Sequence, residues 1–301
     1  MPLQLWKYQA LGNDYLVVDL PAPLEELRRL APTICHRHFG LGSDGLLAFD
    51  PEAMSVRVFN PDGSEAQRSG NGLRITATHA VLLHGASRTF EITTQAGANQ
   101  VDILSVLGPV VVSEVNIGRP SFRAADLPAL IEGEPRRVTL ETPAGRVHAA
   151  LVSVGNPHAV IFDEVVDARR AAQLGPHVER HPLFPERTNV QLVEVIDRAH
   201  ARIEIWERGA GYTLASGTSA SAVAAVLMRD GLVDDEVAIS MPGGRLQVRR
   251  DADGNLVQTG PAQRVYRAEV ELADLEGVLR GVSRLEIRPG GAAMPRTFQG
   301  P

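Results

Sequence analysis

The chain has 301 residues, 44% of them apolar and 22% charged, with a net charge of −6, a pI near 5.9 and a mean hydropathy near zero. That length gives room for two ordinary domains, and the acidic balance argues against a nucleic-acid or membrane-surface binder, whose footprints are basic. No apolar run approaches the ~20 residues of a membrane-crossing helix, no basic segment followed by an apolar stretch opens the chain, and a lone cysteine, Cys35, makes no internal disulfide; a cytoplasmic protein is expected.

Short β-branched runs bounded by Gly, Pro, Asn or Asp dominate the pattern. In chain order they predict strands over 3–8 and 15–19, a helix over 23–39, and strands over 45–49 and 55–60. A helix over 72–84 follows, closed by Gly85, then strands over 89–94, 100–107 and 110–117. Gly118-Arg119-Pro120 reads as a hinge. The second half is similar, with strands over 137–141, 146–153 and 158–162, a short helix over 167–174, and strands over 189–195 and 201–206. A helix over 219–230, closed by Gly231, precedes strands over 237–240, 245–250 and 257–260, the last two joined by the turn Asp253-Gly254-Asn255. A helix is predicted over 272–285 and disorder near the C-terminus. Many strands with few helices is α+β, not the βαβ alternation of a nucleotide-binding domain.

Two segments look alike. Ser69-Gly70-Asn71-Gly72 and Ser216-Gly217-Thr218-Ser219 each run into an Ala/Val/Leu-rich helix, nearly half a chain apart, and Gly12-Asn13 and Gly155-Asn156 form a second such pair. The expected architecture is two pseudo-symmetric lobes, 1–118 (rejoined by 263–275) and 119–262, with 276–301 as an extension. Each lobe is a mainly antiparallel sheet around a central helix, with the site in the cleft. A helix N-terminus leaves N–H groups unpaired and aims a positive dipole end outward, which suits a carboxylate. Two of them facing one cleft would hold one carboxylate, and would stabilise the charge left when the adjacent Cα loses its proton.

These residues resemble the diaminopimelate epimerase family, cofactor-independent racemases of the proline-racemase-like fold. The resemblance runs through Leu11-Gly-Asn-Asp-Tyr15, Phe59-Asn60-Pro-Asp-Gly-Ser64, Ser69-Gly-Asn-Gly-Leu-Arg74, Gly155-Asn-Pro-His158, Phe184-Pro-Glu-Arg-Thr-Asn189, Glu207-Arg-Gly-Ala-Gly211 and Pro242-Gly-Gly-Arg-Leu246. It implies inversion of an amino-acid Cα (LL- to meso-diaminopimelate, in lysine and peptidoglycan synthesis) by an acid and a base on opposite faces, with no cofactor or metal and with a homodimer as the candidate assembly. In the family both groups are cysteines; here Ser69 and Ser216 stand there. Ser219 replaces a usual Gly, Ser221 a frequent Cys, and Tyr212 a usual acidic residue. The resemblance makes His158 and Glu207 the neighbours of the first and second serine. It gives Gly70, Asn71, Gly217 and Thr218 the α-carboxylate, and Asn13, Asn60, Asn156, Asn189 and Arg208 the far end of the substrate. A hydroxyl is a weaker acid than a thiol, whose pKa is about 8.5, and needs a neighbouring base. Two rival readings therefore stand beside the epimerase: a silent amino-acid-binding relative, and the same fold acting on another amino acid or as a dehydratase. The residue types also allow plainer readings: Ser69 and Ser216 as N-caps, Asp44 and Asp62 as turn-makers, His36 and His38 as a solvated helix end, and Cys35 as core.

Overall fold

The strand Leu46–Asp50 is apolar on both faces because it lies between two helices. Leu47 and Phe49 join the inner core shared with the helix Gly70–His84, while Leu46 and Ala48 join an outer cluster with Leu27, Leu30 and Ile34 of the helix Leu24–Ile34. This period of two places an inner and an outer helix on one sheet.

The computed structural model describes residues 2–133, 136–271 and 273–275. The first repeat is β1 (Leu3–Ala10), β2 (Asn13–Asp19), α1 (Leu24–Ile34), β3 (Leu46–Asp50), β4 (Ser55–Phe59), β5 (Glu65–Ala66), α2 (Gly70–His84), β6 (Thr89–Thr94), β7 (Gly97–Leu107) and β8 (Val110–Asn116). After β9 (Val138–Thr142) the same order returns. It runs β10 (Gly145–Ser153), β11 (Pro157–Phe162), α3 (Ala168–Glu179), β12 (Asn189–Asp197), β13 (His200–Glu207), β14 (Gly211–Thr213), α4 (Gly217–Arg229), β15 (Glu236–Met241), β16 (Gly244–Arg250) and β17 (Leu256–Val270). The pairings repeat as well. β2 with β3 and β11 with β12 are parallel, as are β4 with β6 and β13 with β15; the neighbouring pairs β1–β2, β10–β11, β3–β4, β12–β13, β6–β7 and β15–β16 are antiparallel. The protein is α+β, with two pseudo-symmetric lobes, each a mainly antiparallel sheet around a central helix, α2 or α4.

One strand belongs to both lobes. β17 pairs with β16 over Leu256–Thr259, with β8 over Val257–Gln263 and with β1 over Gln263–Val270. Gly260-Pro261 reads in sequence as a strand end. The structure corrects this. Pro261 lies opposite Val112 of β8, after the β16 pairing has ended and before the β1 pairing begins. Its missing N–H therefore faces a gap in the ladder and removes no bond.

Two helix lengths also differ from expectation. α1 ends at Ile34 rather than Phe39, because His36 Nδ1 accepts from the backbone N–H groups of His38 and Phe39 and turns the chain away. α3 runs past Gly175-Pro176 to Glu179. Gly175 is required because a Cβ there would meet the Trp206 ring at 2.4 Å. Of the C-terminal helix expected over 272–285, Ala273–Leu275 is described and helical; the rest, and the tail expected to be disordered, lie outside the described residues.

The central helices meet head to head. A Cβ built on Gly70 would lie 3.3 Å from Gly217 Cα and 3.0 Å from Gln258 Oε1; one on Gly217 would lie 2.7 Å from Gln258 Oε1 and 3.2 Å from the Gly70 carbonyl carbon. Glycine is thus demanded at both positions by close approach. Gly217→Ala is expected to lower stability by about 1–3 kcal/mol, read as a lower urea midpoint at unchanged slope; an unshifted midpoint would show that the helix ends are free to part.

Candidate active site

Ser69 and Ser216 cap the two abutting helices. Ser69 Oγ accepts from Gly72 N–H at 3.0 Å, and Ser216 Oγ accepts from Ser219 N–H at 3.3 Å. Both residues have extended backbone, as an N-cap requires. The same N–H bond that caps the helix also stabilises negative charge on the serine oxygen. The plain reading and the chemical one therefore describe a single geometry.

The surroundings of the two serines differ. Tyr15 Oη lies 3.3 Å from Ser69 Oγ. Burial raises the Tyr15 pKa, so the ring stays a neutral phenol. Ser216 is buried, 3.3 Å from Thr218 Oγ1, with the Glu207 carboxyl near enough for the two to influence each other. Desolvation pushes Glu207 up to about 7, with the Ser216 hydroxyl pulling the other way. This half-buried carboxyl, raised to near neutrality beside a capping serine, has the properties of a general base.

His158 is fully buried, and that burial drives its pKa down to about 3, so the ring is neutral. Its hydrogen bonds go to Asn156 Oδ1 at 2.9 Å and Gln191 Nε2 at 3.0 Å, while those of Ser69 go to Gly72 and Tyr15. Gln191 also donates to Ser219 Oγ at 2.9 Å. A buried amide thus ties His158 to the first turn of α4.

Beneath the helix ends lies Arg74, fully buried, with its charge facing only neutral oxygens: Gln258 Oε1 at 2.8 Å and Asn71 Oδ1 at 2.6 Å. Burial alone pulls its pKa down to about 10, so it remains a cation at neutral pH. Asn71 in turn donates to Asn13 Oδ1 at 2.9 Å and to Ala215 O at 3.2 Å, across to the other lobe. Gln258, which accepts from Arg74 of the other lobe, donates to Gly217 O and Ser221 Oγ in its own. Two helix N-termini and a buried cation leave this spot strongly positive.

The remaining expected ligands are partly engaged with the protein. Asn13 donates to Asp44 Oδ2 at 2.9 Å. Asp44, read from sequence as a turn-maker, belongs instead to a charged cluster in which Arg37 bridges Asp14 and Asp44 and Lys7 pairs with Asp14. Asn60 donates to Ser64 Oγ inside its turn, where Asp62 also accepts from Ser64. Asn189 donates to Pro157 O and accepts from Arg208 N–H, which positions Arg208; the exposed Arg208 guanidinium reaches Glu186 O. Tyr15, Gln191 and Gln258 were missed by sequence reasoning. The available signal was a polar residue on the inward face of a buried strand: Val190 and Leu192 line the outer core while Gln191 points inward. Among the described residues, one group of three has metal-ligand donors in reach, Asp19, His79 and His84 at the far end of α2.

The family profile described as Diaminopimelate epimerase matches residues 5–123 and 150–265. The chain belongs to the diaminopimelate epimerase family. It is 40% identical to Diaminopimelate epimerase 2 of Nostoc sp. over 92% of this chain and 99% of that one, and 38% identical to Diaminopimelate epimerase of Stutzerimonas stutzeri over 90% and 100%. Solved structures share the fold. A hydroxyproline epimerase from Agrobacterium vitis superposes with a TM-score of 0.68 at 18% identity over 92% of this chain and 94% of that one; a methylitaconate-delta-isomerase gives 0.58 at 14%, over 91% and 97%. The chain is an isomerase of the epimerase class. No described helix is long and apolar enough to cross a membrane.

The positive spot at the two helix ends should bind anions even without substrate. Sulfate is expected to raise the thermal midpoint of the wild type more than that of Arg74→Met, which keeps the side-chain bulk and removes the charge. Arg74→Met should also cost about 1–3 kcal/mol through the two amide oxygens left unpaired. Equal sulfate shifts in both proteins would remove Arg74 from the anion site.

Proposed function

We propose that the cleft inverts one Cα of LL-diaminopimelate to give the meso form, with Ser216 and Ser69 acting on opposite faces and no cofactor in the reaction. The paired serine caps at two abutting helix N-termini carry this reading. The α-carboxylate takes the N–H groups of the first turns of α2 and α4, around Gly70, Asn71, Gly217 and Thr218. Arg208 meets the distal carboxylate, with Asn13, Asn60, Asn156 and Asn189 shaping that end. On one face Glu207 takes the Ser216 proton as Ser216 takes the proton from Cα. On the other face Ser69 delivers its proton to Cα, and the charge left on its oxygen is met by the Gly72 N–H and the Tyr15 hydroxyl. His158, neutral and fixed through Asn156 and Gln191, lines the cleft without a hydrogen bond to Ser69, whose orientation comes from Gly72 and Tyr15. We assign 1–118 with 263–275 to one lobe and 119–262 to the other. A cytoplasmic location agrees with the free, buried Cys35. Exposed Leu104, Val106 and Leu107 on β7, with Val265 and Tyr266 on β17, support a homodimer as the assembly, which sedimentation equilibrium tests.

The Glu207 pKa fixes a direction for the pH dependence. The base form must be the carboxylate, so kcat/KM in the direction where the Ser216 face removes the proton should rise as pH increases through about 7. The reaction consumes no net proton, so the ratio of kcat/KM in the two directions is fixed by the equilibrium constant and both should rise together through this range. Glu207→Gln should remove the rise. A wild-type profile that is flat in both directions through about pH 7 would rule out Glu207 as this acid–base group.

The serines are tested by replacement with thiols. The double variant Ser69→Cys, Ser216→Cys should turn LL-diaminopimelate over about 10²-fold faster than the wild type or more, because a helix N-terminus brings a thiol towards neutrality. Each single variant should gain little, since inversion needs both faces. A folded double variant that binds diaminopimelate without turnover would contradict these roles. One that does not bind it would point to a different amino-acid substrate.

A further inference from the structure

The end of α2 remote from the cleft carries a second cluster of chemistry. Asp19, at the end of β2, receives two imidazoles on one carboxylate: His79 Nε2 lies 2.8 Å from Oδ1 and His84 Nε2 lies 3.1 Å from Oδ2. The two rings are 5.3 Å apart, and one donor atom from each of the three residues lies within 4.8 Å of the others. His79 is fully buried, its ring fixed edge-on by Trp6 at 5.1 Å and Phe49 at 5.7 Å. Its other nitrogen, Nδ1, lies 2.9 Å from Tyr8 Oη.

We propose that Asp19, His79 and His84 form a binding site for a divalent metal ion of the zinc class. Two imidazoles and one carboxylate are a ligand set that zinc accepts, with water in the fourth position. Donor atoms about 2.0–2.2 Å from a tetrahedral ion lie about 3.3–3.6 Å from one another, so separations of up to 4.8 Å close by at most about 1.5 Å. The Asp19 and His84 side chains are 24% and 29% exposed, which gives an ion a way in and leaves room for its water. Two further features favour a cation here. When the metal occupies Nε2, the ring proton moves to Nδ1, where Tyr8 Oη accepts it, supplying the outer hydrogen bond that metal-bound histidines ordinarily make. His84 is the last residue of α2, so the negative end of the helix dipole points at the site. Arg264, close enough for its charge to act on His79, opposes a cation here. The ion would pin the C-terminal turn of α2 to β2, independently of any reaction in the cleft.

The test uses untagged full-length protein. Zn²⁺ is titrated in competition with a chromogenic chelator, and Co²⁺ is followed by visible absorption. One ion per chain is expected, with Co²⁺ giving the intense bands of a four-coordinate site. Binding should weaken about tenfold or more in His84→Ala and in Asp19→Asn, each checked for an intact circular dichroism spectrum and an apo-protein melt. Should one variant fail to fold, the other decides. Wild-type protein that takes up no ion, or binding retained in full by a folded variant, would overturn the proposal; retention would place the ion elsewhere, with His36 and His38 the first histidines to test.

Discussion

The N-termini of two helices, from two halves of one chain, are pressed together with a buried, carboxylate-free arginine beneath them. Like-signed dipole ends at this distance repel, and the arginine adds to the repulsion. Neutral acceptors hold the arrangement together: Asn71 takes a bond from Arg74 and gives one across the lobe boundary to Ala215 O, while Gln258 takes its bond from Arg74 across the boundary and gives one to Gly217 O. Glycines at both helix starts let Gln258 fit between them. β17 then fixes the lobes to each other by pairing with strands of both. The fold thus holds an excess of positive potential at one point, and an anion such as a substrate carboxylate would relieve it.

The two serines belong to this arrangement as caps, whatever else they do. A cysteine at an N-cap gains from the helix end through a lowered pKa; a serine gains through the hydrogen bond, and relies on a partner for proton transfer. In the mechanism proposed above Glu207, raised to about 7 by burial, is that partner on one face. The other departures from the family pattern also fit their surroundings. Ser219 accepts from Gln191, Ser221 accepts from Gln258, and Tyr212 donates to Glu204.

The architecture was legible in sequence where the local signal was strong. Ser-Gly followed by an Ala/Val-rich run marked both central helices, and Gly85, in the left-handed conformation, closes the first of them as expected. What remained hidden depended on distant partners. Gly260-Pro261 reads as a strand end until the gap between β16 and β1 is known. Gly175-Pro176 reads as a helix stop until Trp206 is found packed against the glycine. Arg74 was visible as part of a motif, yet its lack of an acidic partner follows from burial alone. Gln191 and Gln258 sit in runs that read simply as strands, and their importance comes from what the opposite lobe and α4 place against them. For the site, position was readable from the duplicated motif; the unequal surroundings of Ser69 and Ser216 were not, since Tyr15 and Glu207 reach them from other strands.

The central claim is that two faces act through two different groups, and the fate of the Cα hydrogen in D₂O tests it most directly. Wild-type protein is incubated with LL-diaminopimelate, and both isomers are analysed by mass spectrometry during the first turnovers. The account predicts one deuterium in each meso product while the remaining LL substrate stays unlabelled, because the group that removes the hydrogen is not the one that replaces it. Label entering the LL substrate as fast as meso product forms would indicate a single group serving both faces. Substrate binding with no deuterium in either isomer would show that the serine pair holds the amino acid without turning it over.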